Sequence, residues 1–300
     1  LFSPWRYNVD PAMAAQLATA IVLSVSGNSP VFCGHRLWEE TRVALFKQAL
    51  DVRDLVEQVW RPPARVSFGH GWVRSGAYEL FAESVSLFPP ILPIVSDDDP
   101  VAIARSGESP RLDELRLQQG TVWRWNRAIY DPSDEGHLRI EMRALPAGPT
   151  PLDMAANAAF LVGLTLALRY DVDEILPAFP FEYAEWNFYR AAQRGLDARL
   201  LWPSTVAPSP MPVSARAMVY RFLPDAAQAL ETLGVDAAEV RRLMTVIRER
   251  VDSGQTGARW QRTTLDRCLL DLERRDALAC MMEGYIANAL TGRPVHEWGA

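Results

Sequence analysis

Between Gly120 and Arg143 the chain gathers charged and amide side chains at the spacing of strands. The first run is Gly120-Thr-Val-Trp-Arg-Trp-Asn-Arg127, and the second is His137-Leu-Arg-Ile-Glu-Met-Arg143. A polar turn through Asp134, Glu135 and Gly136 joins them. Residues two apart in a strand share a face, so Arg139, Glu141 and Arg143 line one side of a sheet. Arg124 and Asn126 share a face of the preceding strand, and Arg127 takes the other unless a bulge re-aims it. Buried, such a face is costly unless its groups bind something charged. Exposed, it is explained by weak cross-strand ion pairs, and spacing alone favours this blander explanation.

The elements that would carry these strands belong to an ordinary globular chain. It has 300 residues, 49% hydrophobic and 23% charged, with material for a sizeable core. The net charge of −6 argues against a general nucleic-acid binder, although local arginines can still hold phosphates. Of 31 basic residues only Lys47 is a lysine, a bias of genome composition more than of function. Cys33, Cys268 and Cys280 lack metal-ligand spacing, which predicts a reducing, cytoplasmic setting without disulfides. No run approaches the ~18 apolar residues that span a bilayer, so no membrane partner is expected. Oligomeric state is not legible.

In chain order, residues 11–26 read as a buried helix, followed by the turn-rich Asn28-Ser29-Pro30 loop and a second helical stretch carrying Arg42. A short strand is expected over 64–68 after Pro62-Pro63. His70 lies in a glycine-spaced turn, and Asp97, Asp98 and Asp99 form an exposed loop rather than a metal site. Pro149 and Pro151 flank Thr150, which with Asp153 is a candidate cap for a helix to about Leu168. Asn157 inside that helix suits a packing hydrogen bond. Beyond residue 180 the pattern predicts helices over 182–194, 213–233 (broken at Pro224), 237–253 and 263–290. Residues 255–261 read as a glycine-containing connection. Phosphate-loop, dinucleotide and zincin motifs do not occur.

Taken together in order, these segments resemble the glutamate–cysteine ligase-like carboxylate–amine ligases, in their bacterial and plant-type branch. The resemblance is carried by Asn28-Ser-Pro30 with Gly34 and Arg42, Gly120 to Arg127, and His137 to Arg143. It continues through Ala147-Gly-Pro-Thr150, Asp153, Asn157, Thr256-Gly-Ala258 and Trp260-Gln261. It implies an α+β, glutamine synthetase-like fold: a mostly antiparallel sheet over about 1–147 and a largely helical part over about 148–300, within one catalytic portion. It also implies an ATP-dependent ligase that uses Mg2+ and joins small-molecule amino acid and amine substrates through an acyl phosphate. By the same resemblance Glu141 is the metal ligand, Arg143 the catalytic group at the acyl phosphate, and Arg42 the holder of a substrate carboxylate. Asn28, Arg124, Asn126 and Arg127 are the further substrate-binding residues, and Arg42, Glu141 and Arg143 are expected to converge. The family's acidic N-terminal strand has no counterpart before Asn28, so the chain reads as the C-terminal two-thirds of a longer enzyme. Gln118-Gln119 stand where a histidine is expected. A non-catalytic relative that binds a nucleotide or amino acid, or acts as an interaction module, is the alternative.

Overall fold

The computed structural model describes residues 10–51, 53, 63–74, 76–204, 207 and 209–299. It is an α+β chain of many helices with small, mostly antiparallel sheets. The described residues fall into two compact units. A sheet unit comprises 10–13 and 45–143, and a helical unit comprises 14–44 and 144–299. The Pro62 turn lies outside the described residues.

In the sheet unit, strand Asn126–Asp131 pairs antiparallel with His137–Met142, placing Arg127 opposite Glu141 and Ile129 opposite Arg139. The turn between them places Asp134, Glu135 and Gly136 successively at positive φ, a conformation that glycine adopts freely and other residues rarely. Val66–Ser67 forms the expected short strand, but it pairs in parallel with Trp123–Arg124. Gly120 and Thr121 do not begin the strand; they end a helix, Asp113–Thr121, whose first turn carries Asp113 and Glu114. Asp99 caps a short helix, Pro100–Arg105, accepting from the amides of Val101 and Ala102. Helix Tyr78–Leu87 completes the frame, with Ser84 on its buried side.

The helical unit is built on helix Pro151–Leu168. Thr150 caps it by accepting from the Asp153 amide, and Pro151 opens it. Its Gly163 lets helix Ala215–Thr232 come close, because a Cβ there would lie 2.5 Å from the Ala226 carbonyl oxygen. Helix Pro151–Leu168 is, by length and composition, apolar enough to cross a membrane, contrary to the expectation from sequence. Half of it is buried within the protein, as in a core helix. Helix Ala215–Thr232 runs through Pro224 without the expected break. Met218, Val219, Phe222, Leu223 and Ala226 are buried around the proline, and this packing offsets the lost backbone hydrogen bond. Helices Phe181–Arg194 and Ala237–Ser253 end at Gly195 and Gly254 as their sequences predict.

Further expectations are corrected in this unit. Residues 213–214, expected to begin a helix, lie in strand Met211–Ser214, paired antiparallel with Arg199–Trp202. The single helix expected over 263–290 is two, Gly257–Cys268 and Arg274–Leu290, and residues 257–261 form the first turn of the former behind a Thr256 cap. Cys268 and Cys280 join these helices as a disulfide, 6.5 Å apart at Cα, so the compartment inferred from unpaired cysteines loses that support. Cys33 is free and exposed in a turn.

Candidate functional site

The register of the hairpin sorts its side chains. Arg127, Ile129 and Asp131 face the same way as Glu141, Arg139 and His137, while Ala128, Tyr130, Leu138 and Ile140 take the opposite face. On the first face, Oε2 of Glu141 accepts from Arg127 Nε at 3.0 Å and from Arg143 Nε. Arg127 also donates through Nη1 to the Gln119 carbonyl at 2.7 Å. Burial tends to raise the Glu141 pKa, but the hydrogen bond from Arg143 and the nearby Arg127 charge prevail and hold it below the usual carboxylate range. Arg127 is pushed down by burial and by Arg143, with Glu141 opposing. A cavity of about 420 Å³ opens over this face, lined by Arg116, Arg127, Arg139, Asp131 and Glu141 among others.

The opposite side of the preceding strand is a buried pair rather than a pocket. Arg124 is 6% exposed and donates through Nη1 to Glu83 Oε1 at 3.0 Å. Burial pushes Arg124 down and Glu83 up, and each is partly held back by its partner. Asn126 is buried beside it in sequence, at 7% exposure. His70 is exposed as a residue, yet its ring lies 6.2 Å from the Phe88 ring and 3.5 Å from Ser67 Oγ. Desolvation of that ring, with the Arg124 and Lys47 charges, holds its pKa at about 4.

Asn28 and Arg42 belong to the helical unit. The Asn28 side chain donates to the Ala147 carbonyl and the Tyr285 hydroxyl, both at 2.8 Å, and its Oδ1 accepts from Gln261 Nε2 at 3.0 Å. Gly257 packs so close that a Cβ would fall 2.1 Å from this Oδ1. Arg42, partly exposed, donates through Nε to Glu40 Oε1 at 3.1 Å and through Nη2 to the Ala144 carbonyl at 2.9 Å. Deeper in the unit, Arg250 donates to Asp153 Oδ1 at 2.8 Å and to Asn157 Oδ1 at 2.6 Å, so Asn157 makes the packing bond its position suggested. Asp153 also accepts from the Thr150 hydroxyl and the Val295 amide.

The structure thus brings together Arg127, Glu141 and Arg143, sets Arg124 in a separate buried pair, and engages Asn28 in joining a loop to two helices. Glu83, Glu40, Tyr285 and Arg250 escaped the sequence analysis. Only Glu40, two residues before Arg42, stood near a residue already singled out. Among the described residues no group of three His, Cys, Asp or Glu is placed to hold a metal. One carboxylate shared by two guanidinium groups does not fit a magnesium site by itself. It does fit the recognition of phosphate or carboxylate by arginine.

An α+β chain with an arginine-lined sheet face above a cavity is suited to anionic small molecules. The model of glutamate-cysteine ligase family 2 (GCS2) matches residues 13–291, and the chain belongs to that family. Membership points to a glutamate–cysteine ligase-like ligase in general. No curated protein matches the chain.

Proposed function

We propose that the protein is an ATP-dependent carboxylate–amine ligase of the glutamate–cysteine type. The observation that carries this is the Arg127–Glu141–Arg143 cluster beside a cavity, in a chain that matches the family from residue 13 to residue 291. In the proposed reaction a substrate carboxylate oxygen attacks the γ-phosphorus of ATP. The bond to the β–γ bridging oxygen breaks, and ADP leaves. The amine nitrogen then attacks the acyl carbon, phosphate departs and the nitrogen loses a proton. Negative charge gathers on the phosphoryl oxygens in the first step and on the acyl oxygen in the second. Pre-positioned guanidinium groups stabilise such charge best where water is scarce.

Arg143 serves the acyl phosphate and Arg127 its flank, with Glu141 fixing both guanidiniums. Ligases of this kind use ATP with Mg2+. Glu141 is one candidate ligand, and the ion requires others that these residues do not supply. ADP release, coupled to an indicator reaction, over a panel of amino acids and amines tests the proposal. The expected result is release that needs an amino acid such as glutamate and rises with an amine. ATP binding without release on any pair would overturn it. The second reading, a nucleotide- or amino-acid-binding relative without turnover, is favoured by one feature: Glu141 already accepts from two arginines on a single oxygen.

A further inference from the structure

Gln118 and Gln119 stand where a histidine is expected, and both amides are spent on tying two helices of the sheet unit together. They lie in the last turn of helix Asp113–Thr121 and reach the end of helix Tyr78–Leu87. Gln118 Nε2 donates to the Ser84 carbonyl at 3.0 Å and to the Phe88 carbonyl at 2.8 Å. Gln119 Nε2 donates to Ser84 Oγ at 2.8 Å, and that hydroxyl donates on to the Phe81 carbonyl at 2.8 Å. Gln119 and Ser84 are both buried, so losing either partner strands a polar group away from water. The same turn also meets the arginine cluster. The Gln119 carbonyl, at the helix end where carbonyls lack partners within the helix and favour a cation, accepts from Arg127 Nη1 at 2.7 Å. Arg127 Nε donates to Glu141, so bonds at Nε and Nη1 together fix the plane of this guanidinium. Arg143 shares the same carboxylate oxygen, which carries the anchor at Gln119 on to the second arginine.

From this chain of bonds we infer that Gln118 and Gln119 are positioning residues for the Arg127–Glu141–Arg143 cluster. Their amides hold the last turn of helix Asp113–Thr121 against helix Tyr78–Leu87, and the Gln119 carbonyl in that turn holds Arg127. A glutamine suits this task because its amide donates hydrogen bonds and neither gains nor loses a proton near neutral pH. The effect on turnover rests on the ligase reading; the geometry does not. A guanidinium already aimed stabilises phosphoryl charge without reorganising as that charge forms. Loosening it therefore lowers kcat more than it weakens substrate binding.

Two variants test the inference: Gln119→Met removes the amide at nearly constant length, and Ser84→Ala removes its acceptor on the other helix. In the wild type the two Nη groups of Arg127, assigned by their loss in Arg127→Lys, should give separate nitrogen resonances. The bond to the Gln119 carbonyl slows rotation about Nε–Cζ. In both variants these resonances should merge, with circular dichroism unchanged; if one variant does not fold, the other decides. ADP release with glutamate and an amine should fall about fivefold in kcat, with KM changed by less than about twofold. Resonances that stay separate in a folded variant, or that are already merged in the wild type, would overturn the inference. So would turnover that is unchanged, or that falls only in proportion to the folded fraction. Either result with ADP release intact in the wild type defeats this inference alone. Resonances that merge as expected, with no ADP release by the wild type on any substrate pair, defeat the ligase reading and leave the positioning of Arg127.

Discussion

Arg250 and Glu141 mark two ways of using charge in one chain. Arg250 is 1% exposed and is spent on Asp153 and Asn157, which are themselves buried in the helical unit. Glu141, in the sheet unit, keeps 40% of its side chain accessible while two arginines hold it over a cavity. Both regions lie within the stretch that the family model matches, yet one set has its hydrogen bonds closed within the protein and the other borders a cavity. Motif residues of the first kind position the loops and helices. Those of the second kind are the candidates for chemistry.

Substitutions in the two regions should therefore separate stability from turnover. The largest stability loss is expected for Arg250→Met, which leaves the Asp153 carboxylate buried without its cation. About 3–5 kcal/mol should be lost in denaturant unfolding, and a loss below about 1 kcal/mol would remove the buried pair from the account. Gly257→Ala comes next at about 1–3 kcal/mol, because its Cβ meets Asn28 Oδ1, a side chain pinned from two further sides, and Pro149 Cγ at 2.9 Å. An unchanged thermal midpoint would show that the Asn28 loop can yield. Thr150→Ala, which removes the helix cap, should lower stability by about 1 kcal/mol in the same assay.

In the sheet unit the expected effect appears only on acidification. The His70 pKa is held at about 4 against an ordinary 6.5, so the fold favours the neutral ring. Its contribution is complete above pH 6.5 and declines as pH falls towards 4, because the unfolded chain takes up the proton first. Imidazole resonances followed by NMR should titrate near pH 4 and be absent in His70→Gln. A midpoint near 6.5 would contradict the desolvation of this ring.

Much of the contrast was legible in residue spacing. Alternation over 122–130 and 137–143 correctly placed Arg139 and Glu141 on one face, because strand parity is a local rule. It also separated Arg127 from Arg124 and Asn126, but which face met space and which met Glu83 depended on helix Tyr78–Leu87, forty residues away. Strand Met211–Ser214 was hidden because Val213 and Ser214 run straight into a helical pattern, and only pairing with Arg199–Trp202 makes it a strand. The break at 269–273 was hidden for the opposite reason: Leu269-Leu270-Asp271-Leu272-Glu273 contains no glycine or proline to announce it. Asn28 was singled out by the family resemblance, not by its loop. Its partners Tyr285 and Gln261 lie more than two hundred residues away, where no local pattern reaches.

The most direct test of the account is the pair Glu141→Gln and Arg143→Lys, measured for ADP release and for unfolding in the same preparations. Glu141→Gln removes the charge that fixes two guanidiniums with little change in volume, and Arg143→Lys removes the planar fork but keeps the charge. The account predicts that each variant loses at least about tenfold in turnover, equivalent to ~1.4 kcal/mol in the barrier. Each should lose less than about 1 kcal/mol of stability, as a partly exposed ion pair allows. Wild-type rates in Glu141→Gln, or rates that fall only as far as the fold itself is lost, would contradict it.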